Sequence, residues 1–253
     1  MIGKAIQMAA LAVTGLALIG AAAHAQGTSI YDATLMEKGL KTEEVSTQQV
    51  RQVLKDHSAL IIDSRTHAEY VAGHIPGAQV LDGPASGQVA SVEKLVGGDK
   101  TKAIVLYCNG PFCRASKRLG DNLASAGFSN VRRYQLGIPI WRALGGPTEI
   151  DLAGISRIYK VDLTAVFIDA RSSDDFAKGS ISGALNLPAE EAASGKRKKL
   201  PLPLDDFNRR IVLFGSDAGQ ARKLADYLSK RPWHNVAYYA GSFETLKTSL
   251  KSK

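Results

Sequence analysis

Two cysteines are the only thiols of the chain, at Cys108 and Cys113. The loop that contains them reads Cys108-Asn109-Gly110-Pro111-Phe112-Cys113-Arg114. It follows a short apolar run and precedes a predicted helix over 114–126, so a thiol at its start faces free backbone N–H groups and the positive end of the helix dipole. Both favour the thiolate, and the pattern therefore predicts a nucleophile at Cys108.

Basic residues follow the second cysteine, at Arg114, Lys117 and Arg118. Cations in the first turn of a helix are mildly unfavourable for the helix, which favours a role in binding a ligand. Positive charge also lowers the pKa of a nearby thiol and attracts an anionic substrate. The alternative is that Cys108 packs as a small apolar residue and the cations form a solvated surface.

Composition narrows the class of protein. The chain has 253 residues, 45% of them hydrophobic and 22% charged, which suffices for one or two globular domains. Two cysteines are too few for a disulfide-stapled or zinc-ribbon fold. Since the sequence clusters neither histidines with carboxylates nor glycines at nucleotide-loop spacing, no metal and no cofactor is expected. The formal net charge of +8 favours anionic ligands in general.

The elements around the loop alternate between strand and helix. Short apolar runs at 59–63, 103–107 and 131–134 predict buried strands, and periodic segments at 46–55, 89–96 and 114–126 predict helices. Such alternation indicates an α/β fold, a mostly parallel sheet with helices on both faces. In such sheets reacting groups gather beyond the carboxyl ends of strands, and Cys108 directly follows such an end at Tyr107.

A repeat accounts for the remaining length. Ile62-Asp63-Ser64-Arg65 recurs as Ile168-Asp169-Ala170-Arg171, and Ile104-Val105-Leu106-Tyr107 recurs as Ile211-Val212-Leu213-Phe214. Gly145-Gly146-Pro147 supplies a breaker-rich joint between the copies. The sequence thus predicts one fold written twice, as domains over 38–149 and 155–250.

Residues 1–25 read as a cleaved signal peptide. Lys4 precedes an apolar run over 8–23, and Ala23-His24-Ala25 places small residues where a signal peptidase inspects them. The run is shorter than the roughly 20 residues that a membrane-spanning helix needs, so no stable anchor is expected after cleavage. The mature chain is predicted to be exported, periplasmic or secreted, where an oxidising environment favours joining two thiols.

Several of these motifs together resemble the rhodanese-type domains. They are Asp63-Ser64-Arg65, Glu69-Tyr70, Gly73-His74-Ile75-Pro76-Gly77-Ala78, Val105-Leu106-Tyr107-Cys108 and Leu136-Gly137-Ile138-Pro139-Ile140-Trp141. The resemblance implies tandem rhodanese-like domains and a sulfurtransferase, which takes sulfane sulfur from thiosulfate or a persulfide donor and passes it to a thiol or cyanide. The expected partners are a small sulfur-containing anion or low-molecular-weight thiol, and a protein that accepts sulfur is a further candidate.

By the same resemblance, Cys108 carries the sulfur as a persulfide. The substrate-binding residues would be Asn109, Gly110, Pro111, Phe112, Cys113 and Arg114, with the loop amides cradling the terminal sulfur. Asp63 and Arg65 would form a supporting salt bridge behind the site.

Two features depart from the family pattern. The second copy has Gly215 where the first has Cys108, so it cannot form a persulfide and is predicted to be an inactive scaffold. Cys113 has two open interpretations: it resolves the persulfide by forming a disulfide with Cys108, or it points away into the helix packing.

An alternative enzyme class shares this scaffold. Cys108 to Arg114 also satisfies Cys-x5-Arg, the phosphate-cradling pattern of cysteine-dependent phosphatases and arsenate-type enzymes. Pro111 removes an amide from that cradle, and the bulky Phe112 crowds it. A helix that begins at Arg114 favours sulfur, whereas an arginine folded back over the loop favours phosphate.

A third class is a non-catalytic binding or redox-sensing module. Lys196-Arg197-Lys198-Lys199 forms a basic run in a predicted loop, which is either a solvated segment or a contact for a polyanion. Aromatic residues do not interleave with it, so nucleic acid is not an expected partner.

Overall fold

The computed structural model describes residues 41–195 and 199–251. The predicted signal peptide and the first three residues of the basic run lie outside these ranges. Within them, no helix combines the length and the apolar character that crossing a membrane requires.

The first domain alternates strands and helices, and the predicted elements are present with bounds that differ by one or two residues. The strands Glu43–Glu44 and Gln79–Val80 and the helix Gly137–Ala143 were not predicted. Its strands are β1 (Glu43–Glu44), β2 (Leu60–Asp63), β3 (Gln79–Val80), β4 (Ile104–Tyr107) and β5 (Val131–Tyr134). Its helices are α1 (Thr47–Asp56), α2 (His67–Val71), α3 (Gln88–Leu95), α4 (Arg114–Ser125) and α5 (Gly137–Ala143).

The second domain repeats the arrangement. Its strands are β6 (Thr148–Ile150), β7 (Val166–Asp169), β8 (Leu185–Asn186), β9 (Ile211–Phe214) and β10 (Val236–Tyr239). Its helices are α6 (Leu152–Val161), α7 (Ser173–Ala177), α8 (Ala189–Ala193), α9 (Ala218–Leu228) and α10 (Phe243–Lys251).

Each domain contains a five-stranded sheet, in the order β1-β5-β4-β2-β3 and β6-β10-β9-β7-β8. Every pairing between these strands is parallel. The predicted α/β class with two equivalent domains is confirmed. Since parallel strands need crossover connections, helices cover both faces and bury the central strands.

Strand β4 lies in the middle of the first sheet, and side chains from both of its faces are buried. Ile104 and Leu106 pack in one cluster with Leu119 of α4, whereas Val105 and Tyr107 pack in another with Trp141 of α5. The alternation of a strand thus feeds two cores at once. Because β4 is packed on both faces, its carboxyl end holds Cys108 in a fixed position.

The joint between the domains lies before β6. The predicted first domain ended at residue 149, but Thr148 and Glu149 pair with Ala237 and Tyr238 of β10 and therefore belong to the second sheet. Main-chain groups of Glu149 also exchange two hydrogen bonds with His74, each 2.9 Å long. This edge strand therefore serves the second sheet and docks the two domains against each other.

Candidate active site

Cys108 occupies the first position after β4 and is 1% exposed. Its carbonyl oxygen accepts a hydrogen bond of 3.1 Å from the amide of Ile138, in the first turn of α5. Gly137, with φ of 62°, lies so close that a Cβ there would overlap this carbonyl. The segment 136–141 therefore packs directly against the loop, and only glycine fits this contact.

The loop amides form a smaller cradle than the sequence predicts. Pro111 has no N–H, and the amide of Cys113 donates to the carbonyl of Gly110 at 3.0 Å. Two of the residues assigned to the cradle therefore offer no amide to a ligand. The amides of Asn109, Gly110 and Phe112 remain, together with the N-terminal end of α4.

The two cysteines are joined in a disulfide, with their Cα atoms 6.1 Å apart. That separation lies within the usual range for such bonds. Cys113 is the N-cap residue of α4, and its side chain turns back to Cys108 instead of pointing into the helix packing. The structure thus holds the site in its oxidised form, and reduction must free Cys108 before it can act as a nucleophile.

A cleft of about 500 Å³ opens above the cysteines. Its lining includes Ser64, Arg65, Thr66, His67, Glu69, Asp82, Gln88, Cys108, Asn109, Cys113 and Arg118. Of the basic residues after Cys113, Arg118 faces this cleft, whereas Arg114 and Lys117 line an adjoining surface beside Phe112. Arg114 and Phe112, predicted to bind substrate, therefore lie outside the cleft that holds Cys108.

The start of α4 decides between the two loop geometries left open by the sequence. The helix begins at Arg114, and the arginine side chain is exposed. A guanidinium in this position does not fold back over the loop to clamp two phosphate oxygens. The loop geometry therefore favours sulfur over phosphate or arsenate.

Glu69 is a site residue that the sequence reasoning missed. Its carboxylate accepts a hydrogen bond from the side-chain amide of Asn109 and closes a capping box with Thr66. Burial raises the pKa of Glu69, but the hydrogen bonds from Thr66 and Asn109 outweigh burial, so the pKa lies below its ordinary value. The Thr66-x-x-Glu69 spacing signals the capping box, yet only the fold brings Asn109 to the same carboxylate.

The mouth of the cleft carries a second pair missed in the sequence. His67 and Asp82 form a contact of 3.0 Å between Nδ1 and Oδ1, and both side chains are exposed. The carboxylates of Glu69 and Asp82 and the guanidinium groups of Arg65 and Arg118 give the cleft both signs of charge. In the described ranges, no three His, Cys, Asp or Glu side chains come together as metal ligands.

Asp63 and Arg65 form an ion pair beside the cleft. The Nε of Arg65 lies 2.9 and 3.1 Å from the carboxylate oxygens of Asp63, and its Nη2 donates to the carbonyl of Gly73 at 2.8 Å. The Tyr107 hydroxyl donates to Asp63 at 2.6 Å and accepts from the amide of Ile75 at 3.0 Å. Burial, more than any other cause, raises the pKa of Tyr107 well above its ordinary value, and the negative charge of Asp63 raises it further. The network ties β2, β4 and the turn 73–77 together.

The second domain keeps this support but has no cysteine in the equivalent loop. Asp169 and Arg171 form the equivalent pair, with 3.0 Å between Arg171 Nε and Asp169 Oδ1. The loop after β9 begins at Gly215, and the side-chain oxygen of Gln220 accepts the amide of Ser216 at 2.8 Å. Because the ion pair persists in a domain whose loop has no thiol, its role is to support the fold. The hydrogen bond to Gln220 leaves the Ser216 amide unavailable to a ligand.

Comparisons with known proteins agree with this architecture. The rhodanese-like domain family matches residues 46–144 and 157–249, well over half of the chain. The chain belongs to the rhodanese-like family. Its two rhodanese-like domains lie in tandem, as the sequence predicts, and each match contains four of the five strands of one parallel sheet.

Curated relatives match the rhodanese-like chain over a segment about as long as one domain. It is 34% identical over 97 residues to tRNA uridine(34) hydroxylase of Photorhabdus laumondii, which covers 38% of this chain and 27% of the relative. The tRNA uridine(34) hydroxylase of Yersinia pestis is 34% identical over 95 residues, covering 37% and 26%. The chain thus spans about a quarter of the length of these relatives.

Two solved structures resemble the rhodanese-like chain over both domains. A thiosulfate sulfurtransferase from Pseudomonas aeruginosa is 21% identical, with a TM-score of 0.38, covering 81% of this chain and 44% of that one. A 3-mercaptopyruvate sulfotransferase from Escherichia coli is 19% identical, with a TM-score of 0.36, covering 79% and 98%.

Proposed function

We propose that the first rhodanese-like domain is a sulfurtransferase that carries sulfane sulfur as a persulfide on Cys108. The donor is thiosulfate or a persulfide, and the acceptor is a thiol or cyanide. The position of Cys108 carries this proposal: it follows the central strand, faces the cleft, and lies beside loop amides at the start of α4. These amides and the helix end stabilise negative charge on the sulfur.

Sulfur transfer then takes two displacements. The reduced Cys108 thiolate attacks the outer sulfur of thiosulfate, the sulfur–sulfur bond of thiosulfate breaks, and sulfite leaves with the electron pair. The acceptor nucleophile next attacks the terminal sulfur of the persulfide, and Cys108 departs as a thiolate. The loop amides stabilise negative charge in both steps, because the Cys108 sulfur is charged as a thiolate and the terminal sulfur is charged in the persulfide.

Cys113 provides a second outcome. Its thiolate attacks the Cys108 sulfur of the persulfide, hydrosulfide leaves with the electron pair, and a disulfide between the two cysteines remains. The contact between these side chains supports the step, since the described disulfide is its product. The protein would then release sulfide and stop until it is reduced.

Mass measurement of the intact protein tests the proposal. The reduced chain is incubated with thiosulfate, freed of excess reagent and weighed, and an addition of one sulfur atom is expected. Cys108→Ser is expected to abolish the addition, whereas Cys113→Ser is expected to retain it and make it longer-lived. Sulfur loading that survives in Cys108→Ser, or activity on an aryl phosphate comparable with that on thiosulfate, would overturn the proposal.

We also propose that the chain is exported after cleavage of residues 1–25 and that the second domain is a scaffold. Two contacts support the scaffold role: the hydrogen bond from the Ser216 amide to the Gln220 side chain within the loop, and the main-chain pairing of Glu149 with His74 between the domains. Cell fractionation and the N-terminal sequence of the mature protein test export. A mature protein that begins at Met1 would contradict it.

A further inference from the structure

Phe112 is the most exposed large apolar side chain of the residues that the structure describes, at 96%. It is the last residue before Cys113 in the loop that the disulfide closes. Aromatic side chains anchor protein interfaces because they bury a large area at little cost in side-chain entropy. A phenyl ring so placed marks the surface that a partner meets when it approaches the disulfide.

Cations surround this ring. Arg114 and Arg118 line the same surface as Phe112, and neither forms an ion pair with residues 41–195 or 199–251. The nearby carboxylate of Asp121 lies 2.8 Å from Lys117 and is compensated by it. We name the surface made by Phe112, Arg114 and Arg118 the Phe112 face. Its charge complements an acidic rim on a partner.

The two sulfurs of the disulfide are not equivalent to a reductant. Cys108 is 1% exposed, whereas Cys113 is partly exposed and adjoins the Phe112 face. Attack on Cys113 expels Cys108 as the leaving thiolate, beside the loop amides and the N-terminal end of α4 that stabilise its charge. A better-stabilised leaving thiolate departs faster, so access and leaving-group stability favour the same direction.

We propose that the Phe112 face docks a dithiol protein with an acidic rim, which reduces the Cys108–Cys113 disulfide by attacking Cys113. One partner thiolate forms a mixed disulfide with Cys113, and the electron pair of the broken bond goes to Cys108. The second partner thiolate then attacks its own mixed disulfide, Cys113 leaves as a thiolate, and the partner becomes a disulfide. This proposal rests on the proposed function, since it regenerates the nucleophile for another sulfur.

The direction of attack is tested on the full oxidised chain with thioredoxin whose second active-site cysteine is replaced by serine. The reaction is quenched with acid, free thiols are alkylated, and the peptide containing both cysteines is fragmented in a mass spectrometer. The alkyl group is expected on Cys108 and the bond to thioredoxin on Cys113. A bond to thioredoxin on Cys108 would overturn the proposal.

Docking is tested by comparing wild-type thioredoxin with dithiothreitol as reductants. Phe112→Ser is expected to lower the rate constant for thioredoxin about tenfold relative to that for dithiothreitol, as loss of an interface anchor does. Leu163→Ser is the matched control, because Leu163 is 92% exposed in the second domain. It is expected to leave the ratio unchanged. A ratio in Phe112→Ser equal to that in Leu163→Ser would overturn docking at this face.

The role of the cations is tested separately. The double variant Arg114→Gln with Arg118→Gln is expected to weaken the salt dependence of reduction by thioredoxin more than that of reduction by dithiothreitol, whose attacking thiolate carries a single negative charge. An unaltered salt dependence would overturn the charge complementarity. Sulfur loading from thiosulfate is measured on the same preparations: failure to load contradicts the proposed function, whereas loading with attack on Cys108 contradicts this inference alone.

Discussion

The side-chain amide of Asn109 donates a hydrogen bond to the carboxylate of Glu69, linking the residue after Cys108 to helix α2. The loop that carries Cys108 is therefore held by side chains as well as by its closing disulfide. The same bond places a negative charge at the edge of a cleft proposed to take an anionic donor. Anchoring and electrostatics thus oppose each other at Glu69.

Glu69→Gln separates these two effects. The amide oxygen of glutamine can still accept from Asn109 and Thr66, but the charge is gone. We expect thiosulfate to load Cys108 about twofold to fivefold faster at low ionic strength, with the gain lost at high salt because salt screens the repulsion. The measurement is the loading rate at two ionic strengths.

Glu69→Ala is the control for anchoring, because it removes the acceptor together with the charge. It is expected to load sulfur more slowly than the wild type, since Asn109 loses its partner. Equal slowing in both variants would contradict the predicted repulsion, because the change that they share is the loss of the carboxylate charge.

Gly137→Ala should disrupt the contact between α5 and the loop. A Cβ there would overlap the carbonyl oxygen of Cys108, and φ is 62°. We expect a loss of about 2 kcal/mol or more in the free energy of unfolding, together with slower sulfur loading. Denaturant unfolding and intact mass measure the two effects.

Gly97→Ala is the matched control for backbone strain, since Gly97 has φ of 66° and nothing within 4 Å of a Cβ. It should lose only the conformational part, about 1 kcal/mol, and should load sulfur at the wild-type rate. Similar behaviour of the two variants would contradict the close packing at Gly137.

Asp63→Asn should destabilise the first domain by about 3 kcal/mol, because it leaves the buried guanidinium of Arg65 without its counter-charge. Sulfur loading should fall with the folded fraction. Unfolding in denaturant, monitored beside loading, provides the measurement. A variant of wild-type stability would show that Arg65 finds another partner.

Asp169→Asn removes the equivalent charge from the second domain, where it faces Arg171. We expect a comparable loss of stability there, with loading of Cys108 close to the wild-type rate. Loss of loading in this variant would instead show that the second domain supports the site directly.

Glu149 should make the stability of the folded chain depend on pH. Burial raises its pKa, but the nearby His74 ring, with Nε2 3.7 Å from the carboxylate, and the hydrogen bond from Tyr238 outweigh burial and lower the pKa below the ordinary 4.5. The ionised carboxylate therefore stabilises the fold above pH 4.5, and this contribution is lost as the pH falls through the lowered pKa. Glu149→Gln should be less stable than the wild type by about 1 kcal/mol near neutrality.

The difference between the wild type and Glu149→Gln should shrink when urea unfolding is repeated well below pH 4.5. Glu93→Gln is the control, since Glu93 lies 3.3 Å from Lys100 on the surface. An exposed pair of this kind contributes little, so we expect a change under about 0.5 kcal/mol at either pH. A constant deficit in Glu149→Gln across both conditions would contradict the ionic role.

Much of the fold was predictable because its signals are local. The apolar runs at β2, β4 and β5 and the helical periodicity of α1 and α4 each depend on a few neighbouring residues. The recurrence of Asp63-Ser64-Arg65 as Asp169-Ala170-Arg171 indicated two copies of the fold without any three-dimensional information. The position of Cys108 after a buried strand followed from the same reading.

The boundary of the second domain was not predictable in this way. Thr148 and Glu149 follow the glycine-rich joint closely and look like the end of the first copy, but pairing with β10 assigns them to the second sheet. Strand pairing joins residues nearly ninety positions apart, since Tyr238 lies opposite Glu149 in the register of β10 and β6. The Tyr238 hydroxyl also donates to the Glu149 carboxylate at 2.9 Å. A local pattern carries no information about such a contact.

The sequence by itself determined the duplicated α/β architecture, the one loop that bears thiols and the absence of a cysteine from the equivalent loop of the second copy. Only the tertiary structure decided that Cys113 turns back to Cys108, that Arg114 lies outside the cleft and that Glu69 holds Asn109. The physical reason is that residue type sets which chemistry is possible. Backbone dihedral angles and packing between distant segments decide which amide stays free and which way a side chain points.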